Sequence, residues 1–318
     1  MNYKNLANEF KKLLDKYKKV SIISHIRPDG DTIGSSIALF NSLKLMGYQA
    51  ELVCKDSDIP LKFNFLKGFD RYKQKIDFDN SLIVTLDCAD LNRTKFDLSN
   101  RCIVNIDHHK SNSNFGTLNI VEVEVATGAV LFKLLKEGFK INIDVANALY
   151  TALLTDSNNF TTSLVNKNSF IMASELIDYG VNPSYIAQMV TKRESLSHIR
   201  LIARGIDSLE LKHNGKIAVM VISQDDLKAT GAKISDIDGI IDFGISLVTV
   251  EVALLLYSYN GIIKGSLRSK NVDISKVAAK LGGGGHKNAA GFEAIDGKIT
   301  SLKDKTIKLI EEILNEKS

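Results

Sequence analysis

The sequence predicts a two-part α/β protein: a larger N-terminal domain with a mostly parallel sheet and helices on both faces, a helical linker, and a smaller C-terminal mixed α/β domain. Three observations predict it. Short apolar runs alternate with amphipathic segments through the first 190 residues, the rhythm of parallel strands joined by helical crossovers. A charged, helix-forming stretch at 191–209 interrupts that rhythm. A second set of apolar runs, separated by turn signals, restarts beyond it. The 318 residues are enough for two cores. The expected divisions are 1–190, 191–209 and 210–318.

Residues 6–17 place Leu6, Phe10, Leu13, Leu14 and Tyr17 at helical spacing. Residues 20–24 read as a buried strand. The polar segment 25–31 follows, then a helix over 32–46 that Gly47 stops. Residues 50–54 form the next strand, which completes a strand–loop–helix–strand unit. Strands at 81–86 and 102–106 run into Asp87 and into Asp107, His108 and His109. Helices are predicted over 126–136, 145–154 and 166–179, the second running into Asp156. The C-terminal part reads as strands at 216–223, 247–258 and 261–268. Tyr259, Asn260 and Gly261 make a tight turn between the last two. A helix over 274–281, a glycine-rich loop, a strand over 291–295 and a helix over 302–314 complete the chain.

Composition narrows the class. Hydrophobic residues make up 44% and charged residues 25%, as in ordinary globular domains. A formal net charge of +4 is too weak for a nucleic-acid coat but tolerates an anionic substrate in a local basic cleft. The three cysteines, Cys54, Cys88 and Cys102, form no CxxC pair and lie in or beside apolar runs. They read as buried small hydrophobes in a reducing compartment. The charged, amphipathic N-terminus lacks the apolar core of a signal peptide. No run approaches the roughly 20 apolar residues of a membrane span. The expectation is a cytoplasmic protein with no membrane partner.

Three strand-like runs end in side chains that can bind a metal: His25, Asp29 and Asp31 after the first, Asp87 after the second, and Asp107, His108 and His109 after the third. In an open α/β sheet, ligands gather beyond the carboxyl ends of the strands, so residues far apart in sequence meet at one edge. Asp156 can complete the cluster. A lone Asp at a strand end is usually a turn or a helix cap. Four such groups at one expected edge are harder to explain that way. Carboxylates mixed with imidazoles suit a hard or borderline divalent ion such as manganese. Two ions a few Å apart need a shared ligand, which a carboxylate can be and an imidazole cannot. Asp87 is the candidate bridge, and such a pair of ions can clamp phosphoryl oxygens during in-line attack.

These residues carry a resemblance. The fragment from His25 and Asp29 through Asp31, Gly34 and Ser35 resembles the first motif of the DHH phosphoesterase superfamily, and Leu86-Asp87 resembles the second. Asp107-His108-His109 resembles the motif that names the family, and Thr155-Asp156 the fourth. In the C-terminal half, Gly265-Ser266-Leu267-Arg268-Ser269 and the run from Gly282 through Gly283, Gly284, Gly285, His286 and Lys287 to Gly291 resemble the associated DHHA1 domain. The resemblance implies two divalent ions, usually Mn²⁺, with Mg²⁺ or Co²⁺ as alternatives. It assigns His25 and Asp29 to the first ion, Asp31, His108 and Asp156 to the second, and Asp87 to both. His109 faces the substrate phosphate, and Asp107 orients His108 from behind.

The second domain supplies the expected substrate contacts. The fork of Arg268 matches a phosphate. Gly283, Gly284 and Gly285 can let a ligand approach the backbone closely. His286 can donate to phosphate or stack on a base. Ser269 and Lys287 complete the set. In such enzymes proline often follows the glycine-rich histidine motif. Lysine stands at that place here, which leaves substrate preference open. The resemblance implies hydrolysis of very short RNA, pApA-like dinucleotides and 3′-phosphoadenosine 5′-phosphate, and it makes a homodimer plausible. Competing readings are a cyclic dinucleotide phosphodiesterase, a family II-like pyrophosphatase, and a nucleotide-binding module without catalysis.

Overall fold

A computed structural model of the chain describes residues 1–295 and 298–316. Two compact units divide between Arg193 and Glu194. The first contains α1 (Tyr3–Tyr17), β1 (Lys19–Ser24), α2 (Gly30–Leu45), β2 (Gln49–Cys54), β3 (Tyr72–Lys73), β4 (Leu82–Leu86), β5 (Ile103–Asp107), β6 (Leu118–Val121), α3 (Thr127–Leu135), α4 (Ile143–Asp156), α5 (Lys167–Asp178) and α6 (Pro183–Thr191). Its six strands run in the order β3-β2-β1-β4-β5-β6, and every neighbouring pair is parallel.

The order reverses between β1 and β4. The chain winds outward one way through β2 and β3, then the other way through β5 and β6. The crevice beyond the carboxyl ends of β1 and β4 is the place where such a sheet binds ligands. His25 and Asp87 are the residues that directly follow these two strands.

Alternate strand residues serve different layers. Val20, Ile22, Leu52, Leu82, Val84, Val104 and Ile106 share one hydrophobic cluster with residues of α1 through α6. The opposite face holds a smaller cluster of Ile23, Val53, Ile83 and Ile103, closed by Leu91, Phe96, Leu98 and Phe115 from loops and a short 3-10 turn. The helices therefore gather on one face, where the sequence pattern suggests both. After β2 the chain passes from strand to strand through loops and short 3-10 turns, so no crossover helix exists to cover the second face.

The second unit contains α7 (Leu196–Asp207), β7 (Glu210–Lys212), β8 (Ile217–Ile222), α8 (Gln224–Thr230), α9 (Ile240–Ile245), β9 (Val252–Tyr259), β10 (Ile262–Ser269), α10 (Ser275–Lys280), β11 (Gly284–His286), β12 (Ala289–Ile295) and α11 (Ile299–Asn315). The strand order is β11-β12-β10-β9-β8-β7, antiparallel except for β8 with β9. Strands β8 and β9 are buried on both faces. Val219 and Leu254 meet α10 and α11 on one side. Met220 and Leu255 meet α7, α8 and α9 on the other. The helix expected as a linker is α7, whose Leu201 is buried in this second cluster. The expected long strand at 247–258 begins only at Val252, and the glycine-rich stretch expected as a loop contains β11.

Candidate metal centre

The site grows from the segment between β1 and α2. Asp29 is the N-cap of α2, with Oδ1 accepting from the Thr32 N–H at 3.0 Å. This cap fixes Thr32, whose Oγ1 lies 2.7 Å from Asp87 Oδ2, 2.8 Å from His25 Nε2 and 3.0 Å from Asp29 Oδ1. The other His25 nitrogen, Nδ1, donates to the Ile26 carbonyl at 2.8 Å. Nε2 of a neutral ring then presents a lone pair. Three acceptors thus converge on a hydroxyl with one proton to give.

Asp31 is 1% exposed and accepts from the N–H groups of Thr127, at 2.6 Å, and Gly128, at 3.0 Å, and from Ser35 Oγ at 2.9 Å. Those two N–H groups open α3, whose own N-cap residue, Ala126, offers no side-chain acceptor. Asp31 therefore caps α3 from across the fold, where the positive end of the helix dipole favours a carboxylate.

Asp87 opens the loop out of β4 at φ +57°, a left-handed conformation uncommon outside glycine, asparagine and aspartate. Its Oδ1 accepts from Thr127 Oγ1 at 3.1 Å. The same oxygen lies 3.6 Å from His108 Nε2 and 3.6 Å from His109 Nδ1, while Oδ2 lies 3.7 Å from His25 Nε2. His108 donates from Nδ1 to the Glu124 carbonyl at 3.0 Å, which turns Nε2 toward Asp87 and toward Asp156 Oδ2 at 3.5 Å. Asp156 is the last residue of α4, where the helix dipole opposes a carboxylate. Capping does not account for it.

Three groups result, each with its ligand atoms within 4.8 Å of one another: His25, Asp29 and Asp87; Asp31, His108 and Asp156; and Asp87, His108 and His109. The first two are candidate divalent-metal clusters, and Asp87 lies against both. The donor set suits a cation. Ring nitrogens of His25 and His108 face carboxylate oxygens at 3.5 to 3.7 Å, and imidazole mixed with carboxylate is the ligand set of a hard or borderline divalent ion.

Electrostatics says the same. Burial, then the carboxylates of Asp87, Asp156 and Asp29, push Asp31 well above the usual carboxylate range. Burial also lifts Asp156, to about 6, with Asp87 and Asp29 adding to it. Burial acts upward on Asp87 too, but His25, His108, Thr32 and His109 outweigh it and hold that group at about 2. Asp87 is therefore the carboxylate that stays ionised.

One expectation needs correcting. Asp107 orients His109 and not His108: its Oδ1 accepts from His109 Nδ1 at 2.8 Å. Its other oxygen accepts from Asn112 Nδ2. His108 points its Nδ1 at the Glu124 backbone, so it has no free donor for Asp107. Thr32, Thr127 and Arg93 are site residues that the sequence pattern missed. Arg93 Nη2 lies 3.3 Å from each ring nitrogen of His25.

The substrate candidates of the second unit separate into two sets. Arg268, Ala289 and His286 are in register across β10, β12 and β11, so their side chains share one face. Leu267 and Ala290 point the other way, into the hydrophobic cluster. Ser269 points with Leu267, and its buried hydroxyl donates to the Val272 carbonyl. Gly283 and Gly285 are packing glycines. A Cβ on the first would sit 2.1 Å from the Gly291 carbonyl oxygen, and one on the second 2.5 Å from Ala290 Cα. Gly284 faces open space, and His286 and Lys287 are exposed.

The raised Asp156 predicts how stability responds to pH when chelator keeps the metals away. A carboxyl whose folded pKa exceeds its unfolded value binds more protons when folded, so stability falls as pH rises through about 6. His109, raised by its hydrogen bond to Asp107 against the effect of burial, acts in the same direction, giving stability below the ordinary histidine value that is lost above its folded one. The metal-free protein should therefore lose urea resistance between pH 5 and pH 7.5. Asp156→Asn should flatten that slope. Equal slopes in the two proteins would show that Asp156 is not held protonated.

A parallel sheet with a donor cluster at its switch point, followed by a mixed second unit, defines the class. Residues 19–155 match the N-terminal domain of the DHH family and residues 214–316 match the DHHA1 domain. The chain belongs to the DHH/DHHA1 phosphoesterase family. It is homologous to bacterial NrnA-like proteins. It is 30% identical to the bifunctional oligoribonuclease and PAP phosphatase NrnA of Thermus thermophilus, over 86% of this chain and 83% of that one. It is 27% identical to a probable bifunctional oligoribonuclease and PAP phosphatase NrnA of Streptococcus mutans, over 89% and 92%. An exopolyphosphatase-related protein from Bacteroides fragilis has the same fold, with a TM-score of 0.86 at 24% identity over 98% of this chain and 96% of that one. Among the described residues, no helix is long and apolar enough to cross a membrane.

Proposed function

We propose that this chain is a two-metal phosphoesterase that hydrolyses very short oligoribonucleotides, such as pApA, to mononucleotides, and 3′-phosphoadenosine 5′-phosphate to AMP. The observation that carries the reading is the convergence of imidazole and carboxylate groups into two clusters, one containing Asp87 and the other lying against it through His108 at 3.6 Å. His25, Asp29 and Asp87 would hold one ion, and Asp31, His108 and Asp156, with Asp87 beside them, would hold the other. Manganese is the first choice, with Mg²⁺ or Co²⁺ able to substitute. When bound, the ions supply a Lewis-acid clamp on the phosphoryl oxygens and a water of lowered pKa.

The chain's own residues do the rest. Asp107 holds His109 by Nδ1, which leaves Nε2 of this partly exposed ring for the substrate phosphate. The Asp107 hydrogen bond raises the His109 pKa, so the ring carries a proton more readily near neutral pH and can hydrogen-bond a phosphoryl oxygen or protonate a leaving oxygen. In the second unit, Arg268 and His286 are the residues to contact a phosphate or a base of the substrate, and Lys287 adds a charge. The named activities of the NrnA relatives support this substrate class. A cytoplasmic location and a homodimer belong to the same reading.

The test is Mn²⁺-dependent hydrolysis of a matched panel: 3′-phosphoadenosine 5′-phosphate, pApA, cyclic di-AMP, five- and 24-nucleotide RNA, and pyrophosphate. Fast turnover of the first two and of the shorter RNA, with little on pyrophosphate, is expected. Dominance of pyrophosphate or of the cyclic substrate would replace the substrate assignment. Absence of both Mn²⁺ binding and hydrolysis would leave a nucleotide-binding module. Arg268→Ala should keep Mn²⁺ binding and kcat while raising KM about tenfold or more, the scale of a hydrogen bond to a charged group. An unchanged KM on every active substrate would refute the Arg268 assignment.

A further inference from the structure

The metal centre is rich in carboxylates, yet the substrate read from it is a phosphate. Among the described residues, Arg93 is the one Lys or Arg side chain in hydrogen-bond or ion-pair contact with any of His25, Asp29, Asp31, Asp87, Asp107, His108, His109 or Asp156. Local structure explains its position. After Cys88 the chain makes a 3-10 turn, Leu91–Thr94, capped by Asp90, whose carboxylate accepts from the Asn92 N–H at 2.9 Å. The Thr94 hydroxyl closes the turn on the Leu91 carbonyl at 2.8 Å. The Arg93 carbonyl accepts from the Ile26 N–H at 2.9 Å, which ties the turn to the segment that carries His25, Asp29 and Asp31.

The side chain does not serve His25 as an ordinary hydrogen-bond donor. Nη2 is 3.3 Å from both ring nitrogens, and each of these already has a partner at 2.8 Å, the Ile26 carbonyl and the Thr32 hydroxyl. Two long contacts to nitrogens that are already engaged leave guanidinium N–H groups available to a further acceptor. The residue is exposed, and among the described residues Arg93 makes no other side-chain hydrogen bond or ion pair. Its charge also reaches the His109 ring, so Arg93 lies near both the first candidate ion position and the histidine assigned to the phosphate.

Resting on the phosphoesterase reading above, we infer that Arg93 is a further substrate contact, donating its free guanidinium N–H groups to a non-bridging oxygen of the phosphate under attack. Charge-assisted bonds from an arginine fork are the strong ones, and the fork fits two phosphate oxygens where a lysine offers a point charge. The contact adds positive charge to a centre otherwise rich in carboxylates.

The experiment uses inorganic phosphate as the probe, titrated into Mn²⁺-loaded wild type, Arg93→Ala and Arg93→Lys, beside Mn²⁺ titration of each metal-free protein and steady-state kinetics on pApA. Arg93→Ala should bind Mn²⁺ as wild type does but bind phosphate at least tenfold more weakly, with kcat/KM lowered at least as far. Arg93→Lys should recover only part of the phosphate affinity. Wild-type phosphate affinity in Arg93→Ala would overturn the inference, as would a loss of Mn²⁺ in that variant, which would make Arg93 a positioning residue for His25. A wild type that binds no Mn²⁺ and cleaves no phosphoester would instead remove the phosphoesterase reading itself.

Discussion

Asp87→Asn should lower kcat/KM at least a thousandfold on every substrate and reduce bound Mn²⁺ from two ions to one or none. A thousandfold corresponds to about 4 kcal/mol of lost transition-state stabilisation. The expectation follows from position. Among the described residues, Asp87 is the one whose carboxylate belongs to the His25 and Asp29 group as well as to the group of the two adjacent histidines, and one of its oxygens lies 3.6 Å from His108. It is also the carboxylate that its neighbours keep ionised, at about 2. An amide has the same shape and no charge, so it cannot neutralise two cations. Asn is the right probe because of the backbone. At φ +57° an asparagine fits nearly as well as an aspartate, whereas alanine adds roughly 1–2 kcal/mol of conformational strain. Asp87→Ala should therefore lose the same activity and some stability besides. Metal content and urea midpoint, measured on both variants, separate the two effects. Two ions retained in Asp87→Asn would end the shared-ligand assignment.

Much of this site could be read from the chain because its logic is positional. His25, Asp87 and Asp107 stand at the ends of apolar runs, and a parallel sheet brings such ends to one edge whatever the loops do. What could not be read depends on directions and on short elements. Which oxygen of Asp107 meets which histidine is set by where the Glu124 carbonyl lies, and no spacing in the sequence reports that. Thr32 and Thr127 look like ordinary helix-start residues until their hydroxyls are found on Asp87. For Arg93 a signal did exist: an Asp-capped turn directly after a strand-end Asp aims its following residues at the same edge. The glycine-rich stretch was legible as a motif and misleading as a loop. Gly283 and Gly285 permit β11 to lie against β12 and need no ligand to explain them. The helices α8 and α9, of 7 and 6 residues, are too short for a periodic pattern to form.

Gly34 was legible as part of a motif, but chemistry is not its reason, and substituting it should have the second-largest effect. A Cβ at this position would lie 2.6 Å from the Ala148 carbonyl oxygen, 2.9 Å from the Ala152 nitrogen and 3.0 Å from the Ala152 Cβ. The first two are backbone atoms of α4, which cannot rotate away as a side-chain tip can. Gly34 is therefore the point where α2 and α4 cross closely, with Ala148 and Ala152 keeping the facing surface shallow. Gly34→Ala gains about 1 kcal/mol of helix propensity and loses more to the forced separation of the helices. Gly34→Val brings two further methyl groups into the same space and should cost about 3 kcal/mol, the upper range for overpacking. Function suffers sooner than folding. α2 carries Asp29, Asp31 and Thr32, while α4 carries Asp156, so the two ends of the candidate centre move apart when the helices do. Gly34→Ala should stay folded at 25 °C, bind Mn²⁺ at least tenfold more weakly and show a lower urea midpoint. Gly34→Val should be lower again on both measures. Wild-type Mn²⁺ affinity in a folded Gly34→Ala protein would mean that the centre tolerates helix displacement, and the close crossing would then serve stability alone.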